Sequence, residues 1–374
     1  MTENRINRFP FYLKFAQVLL GIVSLFFILF IGRDILVPLI FAGLIAILLN
    51  PVVNFLQRKK VNRVIAIMLS IILAMCVVLV IAYFLSSQLG KFSESLPQFK
   101  EKFTTLWNDI LHWLDANLNI NKTKVNSIVA NAQKEAMSFG GSAIGQTLGV
   151  LGATLVVFVL LPVYTFMILF YKPMFLEFMS RLFPNDNKNV VDDVLSNIKG
   201  LIQSYLSGLM LEMLIVAVLN SVGLLIIGID YAILLAVIGA ILNVIPYIGG
   251  VIAMSLVCLV AFTTKSPAAA FWVIVSYAVV QLIDNNFLVP KIVGSKVKIN
   301  ALVSIVAVLV GGALWGVAGM FLSIPLVAIA KVVFDRVEPL APFGYVLGDE
   351  MPEIGKIGKV NIRIKRAPKK KLVK

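Results

Sequence analysis

Gln281, Asp284 and Asn285 are spaced i, i+3 and i+4, so a helix places them on one face, with Asn286 alongside. They stand in QLIDNNFLVPK, directly after the uncharged run AFWVIVSYAVV. A carboxylate flanked by amide donors and acceptors can hold a small hydroxylated solute, Na⁺ or H⁺. A carboxylate inside an apolar span costs roughly 2.5–3.5 kcal/mol and is a functional expectation by default. The structural alternative pairs Asp284 with Lys291 or Lys296 near a membrane interface. Pro290 and Gly294 are expected to break the helix and act as a hinge.

A second polar cluster, NVIPYIGG, contains Asn243, Pro246, Tyr247, Gly249 and Gly250. Pro246 removes a helical donor and the two glycines are expected to take unusual dihedrals, freeing backbone carbonyls. At membrane depth such backbone survives only where protein buries it or a watery cavity meets it. The alternatives are a substrate-facing tip and a structural hinge. Glu212, near the start of another apolar run, is a candidate with Asp284 for coupling to protons or sodium. Gly311, Gly312 and Gly316, in GGALWGVAG, are expected to shape a second tip.

Other chemistries have little to build on. His112 is the only histidine, so histidine metal clusters and Ser-His or Cys-His catalysis are not expected. Cys76 and Cys258 sit in separate apolar runs and read as buried inert thiols. No phosphate-binding G-x-x-x-x-G-K-[ST] loop is present. No metal or cofactor is expected.

The elements that must position these residues follow from hydropathy. The chain has 374 residues, 60% hydrophobic and 14% charged, with a mean hydropathy of +0.96. Soluble domains carry about 25% charged residues. An all-α polytopic membrane protein of about eight hydrophobic segments follows. The net charge of +14 lies largely in a terminal tail, so anionic lipid is the expected partner and nucleic acid is not.

Residues 1–86 read as three spans, about 12–31, 35–56 and 64–85, with Pro38 and Pro51 marking kinks or ends in the second. The basic loop QRKKVNR marks the cytoplasmic side. Residues 87–145 form a small helical extracytoplasmic insertion. An apolar stripe, Phe92, Leu96, Phe99, Phe103, Leu106, Ile110 and Leu114, has helical spacing. Pro97 fits a first turn, and a second helix is expected at about 123–138. The stripe folds back on that helix, binds a partner subunit or lies on the bilayer. A fourth span, about 146–171, belongs to residues 146–188.

Residues 189–335 are the expected transport core. An amphipathic stretch, about 189–207, leads into a span at 208–229. Residues 231–262 form two arms of about 22 Å each at 1.5 Å per residue, short of the ~30 Å hydrocarbon core. A helical hairpin dipping in from outside follows, then a span at about 268–290 and a second hairpin at 301–334 from inside. The pair forms an inverted repeat of the kind secondary transporters use, with both termini cytoplasmic. The alternative makes each hairpin one long tilted helix. Residues 336–374 end in a basic cytoplasmic tail with nine cationic residues and no acidic one after Gly355.

PLIFAGLIAILLNPVV, IQSYLSGLMLEM, NVIPYIGG, DNNFLVPKIVGSKVKINAL and WGVAGMFLSIPLVA, in this order and spacing, resemble the autoinducer-2 exporter (AI-2E) family over nearly the whole chain. The resemblance implies a bacterial inner-membrane secondary transporter, not an enzyme. It implies export of small molecules, autoinducer-2 among them, by a homo-oligomer with elevator-like displacement. Some relatives are described as Na⁺/H⁺ antiporters, so a monovalent cation/proton antiporter is the alternative. A non-transporting membrane scaffold is the alternative of another class.

Overall fold

The computed structural model describes residues 10–118, 158–182, 188–294 and 298–350. The expected second outer helix (123–138), the start of the fourth span (146–157), Lys296 and the basic tail beyond residue 350 lie outside these residues. The described chain is helical throughout, with connecting turns. Its long helices are α1 (Phe11–Ile31), α2 (Arg33–Arg58), α3 (Arg63–Leu118), α4 (Phe158–Leu182) and α5 (Lys188–Ile227). The shorter α6 (Ala232–Asn243), α7 (Gly249–Thr264) and α8 (Pro267–Ile283) follow, and α8 runs into a π-helix, Asp284–Gly294. The bent α9 (Ala301–Arg336) and a short α10 (Ala341–Leu347) close the described chain. Among the described residues six helices are long and apolar enough to cross a bilayer, the bent α9 counted as one. Large apolar side chains cover the exterior, Val80 at 68% and Ile226 at 82% exposure among them. This is a multi-pass membrane protein.

Several helices outrun their expected ends. α3 passes residue 86 without a break, and Pro97 lies inside it instead of opening a new helix. The amphipathic stretch and the fifth span are one helix, α5. Pro38 and Pro51 both lie inside α2. α4 continues past Lys172 and Pro173 to Leu182. Proline at 173 has no N–H for the Leu169 carbonyl four residues earlier. The Arg63 guanidinium donates to that carbonyl at 2.9 Å and to Phe170 O at 2.8 Å. Lys172 Nζ donates to the buried Asn50 Oδ1 at 2.8 Å. Neighbouring helices thus satisfy groups that read in sequence as stop signals. Cys76 is exposed on the apolar exterior, not buried as expected, because its face of α3 has no described helix against it.

Both short-armed segments are hairpins. α6 and α7 pack through Leu235, Ala236, Ala253 and Val257, with Leu224 of α5 and Val273 of α8 against them. Their arms are 12 and 16 residues long, about 18 and 24 Å at 1.5 Å per residue. Residues 244–248 turn the chain. The positive φ of 65° falls on Tyr247, and Gly249 and Gly250, expected to supply it, are in helical turns. Their lack of a side chain serves close approach instead. The Leu242 carbonyl occupies the space a Gly249 Cβ would need.

α9 folds back on itself at Trp315 and Gly316. Gly316 has φ 61° and ψ −142°, a conformation a side chain would obstruct. Gly311 and Gly319 then meet backbone to backbone, and Met320 lies over Gly312. Trp315 Nε1 donates to Leu29 O of α1 at 2.9 Å, which ties this tip to the first helices. At the base, Asn300 caps α9 through Val303 N at 2.9 Å. Its Nδ2 reaches Val346 O at 2.7 Å and Gly348 O at 2.9 Å of the α10 segment.

α5 is the organising helix. It packs against α2, α6, α8, α9 and the π-helix. Its inner half joins Leu44 of α2 and Leu322 of α9 through Ile202, Tyr205, Leu206 and Leu209. Further along, Val216 meets Ala240 of α6 and Val280 of α8.

Candidate functional site

Where α5, the first hairpin and the π-helix meet, they line a cavity of about 650 Å³, within the 300–1,000 Å³ usual for small-molecule sites. α5 contributes Tyr205, Leu209 and Glu212, at i, i+4 and i+7. α8 and its π-extension contribute Tyr277, Gln281, Asp284 and Asn285. The hairpin contributes Asn243, Pro246, Tyr247 and Gly250. Ile324 of the second hairpin and Val289 complete the apolar part of the wall, with Val244, Val251 and Met254.

Asp284 is the centre of this site and is 2% exposed. Asn243 Nδ2 donates to its Oδ2 at 3.0 Å, joining the hairpin tip to the start of the π-helix. Asp284 Oδ1 is buried with no protein partner. The Glu212 carboxyl, 7% exposed, lies close enough to Asp284 to interact electrostatically. Gln281 Nε2 donates to Asn285 Oδ1 at 3.3 Å. A Cβ on Gly250 would stand 2.8 Å from Gln281 Oε1 and 3.0 Å from Asn243 Oδ1. A side chain there would push the ends of these two amide side chains aside. The Tyr277 hydroxyl is buried without a partner and faces Gly239, whose Cβ would stand 2.8 Å from it.

The π-helix sets the angle of this wall. Its wider turn carries the chain past Pro290 to Gly294. The expected helix break at Pro290 is absent: proline offers no N–H, and the i→i+5 winding passes it without a break. π-turns recur at functional sites. Gly208 of α5 lies against this segment, its missing Cβ only 2.7 Å from Ile292 O.

Asn243, Pro246, Tyr247, Gly250, Gln281, Asp284, Asn285 and Glu212 all line one cavity. Asn286 does not: its amide donates to Leu282 O at 2.8 Å on an exposed face. Gly249 shapes the turn behind the cavity. Gly311, Gly312 and Gly316 belong to the second hairpin's bend, away from the cavity wall. Lys291 does not pair with Asp284; its ammonium sits 5.8 Å from the Phe287 ring centroid. Tyr205 and Tyr277 extend the polar lining. Their helical spacing to Glu212 and to Gln281 and Asp284 is the sequence signal for them. Among the described residues no group of three or more His, Cys, Asp or Glu side chains could hold a metal.

The model of the family described as "AI-2E family transporter" matches residues 18–338. The chain is similar to "Putative transport protein YueF" of Bacillus subtilis (strain 168), with 26% identity over 317 residues, 82% of this chain and 85% of that protein. It is similar to "Putative transport protein YrrI" of the same organism, with 28% identity over 309 residues, 80% of this chain and 86% of that one. A third relative, "AI-2 transport protein TqsA" of Escherichia coli (strain K12), is 26% identical over 317 residues, 82% of this chain and 87% of its own. With its two hairpins and buried polar cavity, this chain belongs to the AI-2E transporter family.

Proposed function

We propose that the chain is a secondary active exporter of small polar solutes, an autoinducer-2-like signalling molecule first among them, driven by an ion gradient across a bacterial inner membrane. The observation that carries this reading is the buried Asp284–Asn243 pair facing Glu212 in the wall of a cavity of about 650 Å³. Amides and tyrosine hydroxyls suit a hydroxylated cargo. The unpartnered Asp284 Oδ1 suits a coupling cation, because a carboxylate held away from water costs several kcal/mol unless an ion or a hydrogen bond meets it. A relative, TqsA, is named for autoinducer-2. The basic loop after α2 supports a cytoplasmic N-terminus. The first hairpin then enters from outside and the second from inside, on either side of the cavity.

A second reading is a monovalent cation/proton antiporter without organic cargo. The carboxyl pair itself favours it, since Glu212 and Asp284 with the Asn243 and Asn285 amides offer oxygen ligands to a bare cation.

Uptake of labelled autoinducer-2 into inside-out vesicles, with and without an imposed pH gradient, tests the reading. Gradient-dependent uptake is expected, abolished by Asp284→Asn with assembly intact. Normal pumping by Asp284→Asn refutes the coupling role. Absence of uptake under either condition, with Na⁺/H⁺ exchange present, selects the antiporter.

A further inference from the structure

We propose a second binding site, away from the cavity, at which Lys172, Arg63 and Lys199 hold the phosphate of an anionic phospholipid headgroup between α2, α4 and α5. Lys172 is half-buried and reaches inward to Asn50, itself 5% exposed. Asn50 Oδ1 is a neutral acceptor and leaves the ammonium's charge uncompensated. Arg63 and Lys199 are both near enough to Lys172 to repel it. Arg63 spends one nitrogen, Nη2, on the Leu169 and Phe170 carbonyls, again neutral partners. Among the described residues the ion pairs are Arg33–Asp34, Arg181–Glu177, Lys331–Asp335 and Arg336–Asp193. None of them supplies a carboxylate to these three cations. A cluster of like charges, one member half-buried, is held together most simply by an anion that is not part of the described protein.

The surroundings select a lipid over a soluble anion. On the same turns of α4 as Lys172, Tyr171, Met174 and Phe175 are 43, 55 and 49% exposed. Phe55 of α2, 56% exposed, adds to this flank. A cationic notch opening onto an apolar flank matches a phosphate with acyl chains attached. The exposed Arg58, Lys59 and Lys60 follow at the α2–α3 turn and extend the positive rim. Basic notches between spanning helices on the cytoplasmic side bind anionic head groups.

Native mass spectrometry of the full-length protein in detergent, titrated with phosphatidylglycerol or phosphatidylcholine, tests the site. Each basic residue near a membrane surface contributes about 1 kcal/mol, which is roughly five-fold in affinity. Phosphatidylglycerol should therefore bind about five-fold more weakly to Lys172→Gln and to Lys199→Gln, and roughly twenty-five-fold more weakly to the double variant. Lys102→Gln, which removes one charge at the far end of α3, should leave binding unchanged. Lys199 is exposed, so its variant keeps the fold and the comparison valid. Equal phosphatidylglycerol binding by the double variant and the unaltered chain overturns the site. So does equal binding of the two lipids by the unaltered chain. If inorganic phosphate alone raises the thermal midpoint as far as phosphatidylglycerol does, the occupant is a soluble anion and the lipid assignment is overturned.

Discussion

Gly208→Ala, compared with Gly200→Ala on the same helix, isolates what close packing of α5 on the π-helix is worth. Both substitutions sit inside α5 and gain the same helix propensity, about 0.5–1 kcal/mol. At Gly200 an added Cβ meets nothing within 4 Å, so that gain should appear in full. At Gly208 the Cβ would lie 2.7 Å from Ile292 O and 3.3 Å from both Ile292 C and its Cγ2. The nearest obstacle is backbone, which no rotamer change relieves. Restoring ordinary contact needs a displacement of roughly 0.7 Å, given the ~3.4–4 Å of a normal carbon contact. Overpacking of this kind costs roughly 1–3 kcal/mol. The two variants should therefore differ by about that amount, with Gly200→Ala the more stable. The displaced segment begins at Asp284, so the cavity wall moves with it and transport should fall more than stability does. Thermal midpoints in detergent and solute flux in vesicles, measured on the same preparations, check both halves. Coincident midpoints and flux for the two variants would refute the reasoning, because they would mean that α5 and the π-helix are not in the contact described.

Two further substitutions probe single groups. Tyr277→Phe removes a buried hydroxyl that has no partner and faces Gly239, so stability should hold or rise by about 1 kcal/mol, with solute flux unchanged. Lost stability with unchanged flux would give that hydroxyl a structural role instead. Asn300→Ala removes the α9 cap and two bonds to the α10 segment, at about 1 kcal/mol for the cap and about as much again for the rest. Earlier protease cleavage around residues 337–350 should accompany a lower midpoint, and an unchanged cleavage pattern would count against this tie.

Much of the fold is legible in the sequence because the bilayer simplifies the problem. In hydrocarbon, backbone groups must pair within their own helix, so apolar runs report spans directly. Arms too short to cross, separated by Pro246 or by the Gly311–Gly319 stretch, favour hairpins over tilted helices, and the structure folds both back. The polar residues of NVIPYIGG and QLIDNN are conspicuous for the same reason, and all but Asn286 of their expected polar members line one cavity. The ends of helices are much less legible. Pro97 reads as a helix start and Pro290 as a break, and neither is one. A proline stops a helix only if the carbonyl it leaves unpaired finds no other donor. At Leu169 that donor is Arg63, more than a hundred residues earlier in the chain.

By itself the sequence left the two short-armed segments as hairpins or tilted helices, but it determined the class of protein and the residues able to do ion and solute chemistry, since these depend on hydropathy and local spacing. Only the tertiary structure decided which of them share a site. Glu212 joins Asp284 because α5 packs against the π-helix at Gly208, and Asn243 reaches Asp284 across 41 positions because Tyr247 turns the hairpin back. Asn286, next in sequence to Asn285, faces away because successive positions on a helix point to different sides, and its amide bonds Leu282 O instead. Proximity in a folded chain is set by which faces pack, and no local pattern encodes the partner's face.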